Sequence, residues 1–136
     1  MSVSVYGFIA GITTSSQDAH NIVQLQALPE TGAYLIKRLF SHIPQSQPHS
    51  YYGSHINFSA GYKEFYCLEN DWLEEFEALL SNLYWSEAEL IVTWSRERYT
   101  WRSNYSAEAP ESGPNKITER SRYGSAWELK QVPWNS

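Results

Sequence analysis

Residues 71–94, DWLEEFEALLSNLYWSEAELIVTW, contain the change of period that decides the fold class. Trp72, Leu73, Phe76, Leu79, Leu80 and Leu83 recur at helical spacing, while Glu74, Ala78 and Ser81 fall on the opposite side. Asp71 with Glu74 three residues on makes a capping-box pattern, which predicts that the helix opens at Asp71. From Ala88 the period falls to two, with Leu90, Val92 and Trp94 on one side and Glu89, Ile91 and Thr93 on the other, as in a strand. After Ser95 the parity switches to Tyr99 and Trp101. A hairpin loop is therefore expected over Ser95–Arg98, followed by an antiparallel strand from Tyr99 to Tyr105.

Upstream, Val3 to Ile12 is apolar on both alternating faces, which predicts a central strand. Ser16 or Asp18 is a suitable cap for a helix through Asn21, Ile22, Leu25 and Leu28, closed by Pro29. The alternation of Val23, Leu25 and Ala27 leaves a strand open there. Leu35, Ile36, Leu39, Phe40 and Ile43 fall at helical spacing, so a second helix is expected from Thr31 to a stop at Pro44. Tyr52 to Ala60 alternates as a strand that Gly61 could bend and extend towards Cys67. A last strand is expected within Ser125–Val132, and Pro110, Gly113 and Pro114 make 106–116 an exposed loop. The order implies an α+β fold, a single layer of mostly antiparallel sheet covered by two or three helices, in one domain spanning 1–136.

A chain of 136 residues, 42% of them hydrophobic, suffices for one core. Its net charge of -5 argues against direct binding of nucleic acid, whose phosphates demand cations. The single cysteine, Cys67, rules out an internal disulfide framework and points to a reducing compartment, with the cytoplasm expected. Met1-Ser2-Val3 lacks the basic start of a signal peptide. No apolar run approaches the ~20 residues that span a bilayer, so no membrane association is expected.

Recognisable catalytic motifs are missing. His20, His42, His49 and His55 form no HExxH pattern, Ser54 sits outside any GxSxG elbow, and Gly7 and Gly11 do not build a phosphate loop. No metal, no cofactor and no enzymatic activity are therefore expected. The alternative is a metal-free, ribonuclease-like hydrolase using His49 and His55 with Arg102 as the cation. A further alternative is an acidic adaptor domain.

Charge segregation is the stronger signal. Residues 64–89 hold eight carboxylates and no Lys or Arg, so no helical salt bridge compensates them. Such a ridge attracts a basic protein surface. The 16 Trp and Tyr residues exceed what so small a core buries completely. Trp72 and Trp94 read as core. Trp101, Tyr105, Tyr123 and Trp134 lie among polar neighbours and read as interface residues. The expected binding set is Glu69, Glu74, Glu75, Glu77, Trp101 and Tyr105.

The combination Tyr6-Gly7-Phe8-Ile9-Ala10-Gly11, Leu28-Pro29, Leu39-Phe40-Ser41, Ile43-Pro44, Trp72 to Leu80 and Leu83-Tyr84-Trp85 resembles small immunity proteins of bacterial polymorphic-toxin systems, such as those encoded beside contact-dependent inhibition or Rhs toxins. The resemblance spans about residues 5 to 101 and rests on structural, not catalytic, residues. It implies a non-catalytic cytoplasmic antitoxin that neutralises a cognate toxin domain, with a basic nuclease as the expected target. It carries over no binding residues.

Overall fold

The computed structural model describes residues 3–43, 53–63, 65–104, 114–125 and 130–134. Strand β1 (Val3–Gly11) lies inside an antiparallel sheet, with β3 (Ser54–Tyr62) on one side and β4 (Glu87–Val92) on the other. Outward from β3 runs β2 (Phe40–Ile43). Outward from β4 run β5 (Arg98–Ser103), β6 (Ile117–Tyr123) and β7 (Gln131–Val132), giving the seven-strand order β2-β3-β1-β4-β5-β6-β7. Among the described residues two α-helices, α1 (Ser15–Gln26) and α2 (Phe65–Leu80), complete the α+β fold.

Both helices pack on one face of the sheet. Val5 and Ile9 of β1, Ile56 and Phe58 of β3, Ala88, Leu90 and Val92 of β4, and Tyr99 and Trp101 of β5 point to that side and are buried. The apolar stripe of α2 meets them as the sequence predicts, with Trp72, Phe76 and Leu80 fully enclosed. Phe76 lies 5.2 Å from the Phe58 ring, 5.1 Å from Trp72 and 4.9 Å from Trp101 between centroids. An aromatic core of this kind combines a large buried area with tilted ring contacts. Gly7 permits the close fit, since a Cβ there would stand 1.9 Å from the Glu89 carbonyl oxygen and 2.8 Å from the Phe58 ring.

Several local expectations are corrected. Helix α2 begins at Phe65 rather than Asp71, because Phe65 is buried against Tyr62 and Trp72 and continues the stripe two further turns back. The segment expected to be helical from Thr31 to Ile43 is irregular up to a short 3-10 turn at Lys37–Leu39 and then becomes β2. Pairing of Phe40 with Phe58 and His42 with Ile56 gives those residues sheet hydrogen bonds and overrides the helical periodicity. Thr14, not Ser16 or Asp18, caps α1: its hydroxyl accepts from the Gln17 amide at 3.2 Å while the Gln17 side chain accepts from the Thr14 amide at 3.0 Å. The strand alternative for Val23–Ala27 does not occur, and Gly61 makes no bulge, since β1 and β3 stay in register to Val3 and Tyr62. The hairpin after β4 is present, but its loop runs over 93–97 rather than 95–98 and Arg98 opens β5; the Val92 amide closes it by donating to Glu97 at 3.0 Å, with Arg96 at φ 60. Strand β6 went unassigned from the sequence. The expected 106–116 loop and the Ser125–Val132 strand fall partly outside the described residues, where the latter is seen only as β7.

Candidate functional site

Helix α2 carries the acidic residues singled out by the sequence, and the structure divides them in two. Asp71 and Glu74 are exposed on its outer side, as is Ala78 one turn beyond Glu74. Glu69, Glu75 and Glu77 are half-buried and engaged internally. Glu75 accepts from the Leu35 amide at 3.3 Å. Glu77 accepts from the Trp101 indole at 2.7 Å and from Arg120, whose Nη2 donates at 2.8 Å in a bidentate clasp. Glu69 accepts from the Tyr99 hydroxyl, which also lies 3.0 Å from the Glu97 carboxylate, itself paired with Arg122 at 2.8 Å. Burial of the Tyr99 ring, together with those carboxylates, raises its hydroxyl far above the ordinary phenol range.

Three expected binding residues are therefore structural: Glu69, held by the Tyr99 hydroxyl, Glu77 and Trp101. Trp101 is 1% exposed, so it belongs to the core and not to a surface. Trp94 exchanges places with it, being 62% exposed at the β4–β5 turn although expected in the core. Glu77 spends its charge on Arg120. Tyr105 lies outside the described residues. Trp134 packs on Tyr99 and Trp101 at 5.2 and 5.7 Å, and Tyr123 lies under Arg98, so neither is a free aromatic. Sequence reading missed the cations of β6. Arg120 and Arg122 alternate with Glu119 and Ser121, and this period of two is the signal that aims both at the helix side of the sheet.

Beside the outer side of α2 lies an apolar groove of ≈ 300 Å³ between the two helices. Leu28, Pro29, Ala33 and Leu35 form one wall, and Ala78 and Leu79 form the other, with Glu75 at the rim. An apolar centre with Gln24, Asn82 and one carboxylate among its lining has the anatomy of a protein interface, whose core is hydrophobic and whose rim is polar.

A buried polar knot sits where β1 hands over to α1. The Thr13 hydroxyl donates to Asp18 at 2.5 Å and lies 3.2 Å from the Ser54 hydroxyl, and His42 Nε2 stands 3.8 Å from the same Asp18 oxygen. Burial pushes the His42 imidazole below its ordinary range, and the Asp18 carboxylate opposes that shift. The histidines of the hydrolase alternative are not assembled: His49 is outside the described residues, and His55 and Arg102 are separated by three inter-strand steps, roughly 14 Å. Among the described residues no three His, Cys, Asp or Glu side chains converge as metal ligands, and no helix is long and apolar enough to cross a membrane. Comparison with protein-family models, with curated proteins and with solved structures finds no match to this chain.

Proposed function

We propose that this chain is a non-catalytic immunity protein of the cytoplasm that captures a basic toxin domain, with a nuclease as the expected target, on the outer side of α2. The observation that carries this reading is the groove between α1 and α2, apolar within and lined at its edge by Glu75, with Glu74 exposed on the same helix. Exposed Asp71 and Glu74 take part in no ion pair among the described residues, so their field is directed outward. That arrangement steers a cationic surface on approach and offers it an apolar anchor on arrival. The binding set expected from sequence thus narrows to Glu74 and Glu75, joined by Asp71 and the groove.

The test uses the polypeptide encoded immediately beside this gene, with association measured by stopped flow at two salt concentrations. Glu74→Gln should slow capture at low salt only, because exposed charges are screened over about 8 Å at physiological ionic strength. Ala78→Arg places a bulky cation at the groove mouth and should abolish binding without unfolding the exposed position it occupies. Capture at the wild-type rate by both variants refutes the reading.

A further inference from the structure

Among the described residues no helix covers the other face of the sheet. Its exposed side displays cross-strand rows that run from β1 to β6, and between them lies a cleft of ≈ 220 Å³. Phe8, Glu89, Thr100 and Ser121 form one such row and make the floor, because the two hydroxyl residues are short. Ile91, Arg98 and Tyr123 form the next row on one side. On the other side Glu87, Arg102 and Glu119 make an alternating charged row, exposed throughout.

Charge in the cleft is out of balance by one cation. Arg102 stands between two carboxylates, Glu87 and Glu119. Arg98 lies 3.9 Å over the Tyr123 ring and reaches Glu89 at 3.9 Å, the outer limit of an ion pair. Three carboxylates thus face two guanidinium groups, and Glu89 is the most enclosed of the three. Burial raises the Glu89 carboxyl above its usual range; Arg98 opposes that shift and Glu87 adds to it.

We propose that this cleft receives the side chain of an arginine presented by a polypeptide, with the guanidinium against Glu89 and Glu87 and the methylenes along Phe8. The volume is below the ~300 Å³ at which pockets for drug-sized molecules begin, and it suits a single long side chain. A planar guanidinium pairs with carboxylates in a fork and stacks on aromatic rings, and Arg98 already sits over the Tyr123 ring here, whereas an ammonium does neither as well. The polypeptide is indicated by the adjoining row, where Tyr6, 45% exposed, and Ile91 offer an apolar track for the residues flanking the arginine. This site lies across the sheet from the α1–α2 groove and does not depend on a toxin binding there.

Titration of the full chain with N-acetyl-arginine-N-methylamide, followed by amide NMR, tests the assignment. Saturable shifts are expected at Phe8, Glu89, Thr100 and Ser121, with about tenfold weaker binding by Glu89→Gln, as loss of a hydrogen bond to a charged group implies. Glu87→Gln alters an exposed residue, keeps the fold, and should weaken binding in the same direction. The citrulline analogue, isosteric but uncharged, should leave these resonances unmoved. Absence of saturable shifts with the arginine probe, or unchanged affinity in both variants, overturns the proposal. An equal response to the lysine analogue overturns the guanidinium assignment, and tighter binding of free arginine than of the capped probe overturns the polypeptide source.

Discussion

Replacing Trp101 by Ala should remove roughly 4 to 5 kcal/mol of folding stability, the upper part of the range for truncating a large buried aromatic side chain. The indole is 1% exposed and is enclosed by Phe76 at 4.9 Å, Trp134 at 5.7 Å and Tyr99 at 6.3 Å, rings that cannot all collapse into the vacated space. Its Nε1 also donates to Glu77 at 2.7 Å. That hydrogen bond adds less than a buried charged one would, because Glu77 keeps the Arg120 clasp and is 21% exposed. Trp101→Phe retains most ring contacts and should cost only about 1 to 2 kcal/mol, the difference being methylene-scale packing plus the indole bond. Trp94→Ala, at a site 62% exposed, should stay within about 0.5 kcal/mol of the wild type. Urea unfolding followed by far-UV circular dichroism measures all three without relying on indole fluorescence. A Trp101→Ala loss no larger than that of Trp94→Ala would show that the indole is not enclosed, and would restore it as a surface residue.

Gly7→Ala should destabilise by roughly 1 to 3 kcal/mol as an overpacking change, since the new methyl meets backbone at Glu89 and the Phe58 ring; a neutral melt would refute the close fit. His42 has a lowered folded-state pKa, so the unfolded chain binds the proton more readily. Its stabilising contribution is complete above about pH 6.5 and is lost as pH falls towards the folded value, a loss that His42→Gln should remove from paired urea melts at pH 7.5 and pH 5. A double-mutant cycle of Glu77→Gln with Arg120→Gln should give a coupling of about 0.5 to 1 kcal/mol, modest because the Arg120 side chain is 47% exposed; zero coupling would dissolve the clasp.

Elements whose burial follows a single local period were legible in the sequence. The α2 stripe, the doubly apolar β1 and the alternation of β3 and β4 each announce both element and facing, and together they imply the antiparallel α+β layer. What escaped depends on partners distant in the chain. Leu35 to Ile43 has helical spacing, yet the free backbone groups of β3 recruit Phe40–Ile43 as an edge strand. Trp94 shares the parity of Leu90 and Val92, but β4 ends at Val92 and the turn carries Trp94 away from the core. Trp101 looks polar by its neighbours only because Thr100 and Arg102 occupy the opposite face. The acidic helix seemed uncompensated because Arg120 reaches Glu77 across 43 positions of sequence, a distance no window over α2 includes.

The inner position of β1 also governs how the chain must be made. VSVYGFIAG is uncharged, free of proline and rich in β-formers, and it leaves the ribosome before both of its partner strands, the later of which ends at Val92. At about 5 to 20 residues per second it waits for its second neighbour on a timescale of seconds, during which both of its edges can recruit another chain. Truncation anywhere before Glu87 would make that wait permanent. Such fragments should accumulate as aggregates rather than as partly folded monomers, and a high proportion of non-local pairings should make even the intact chain a slow folder.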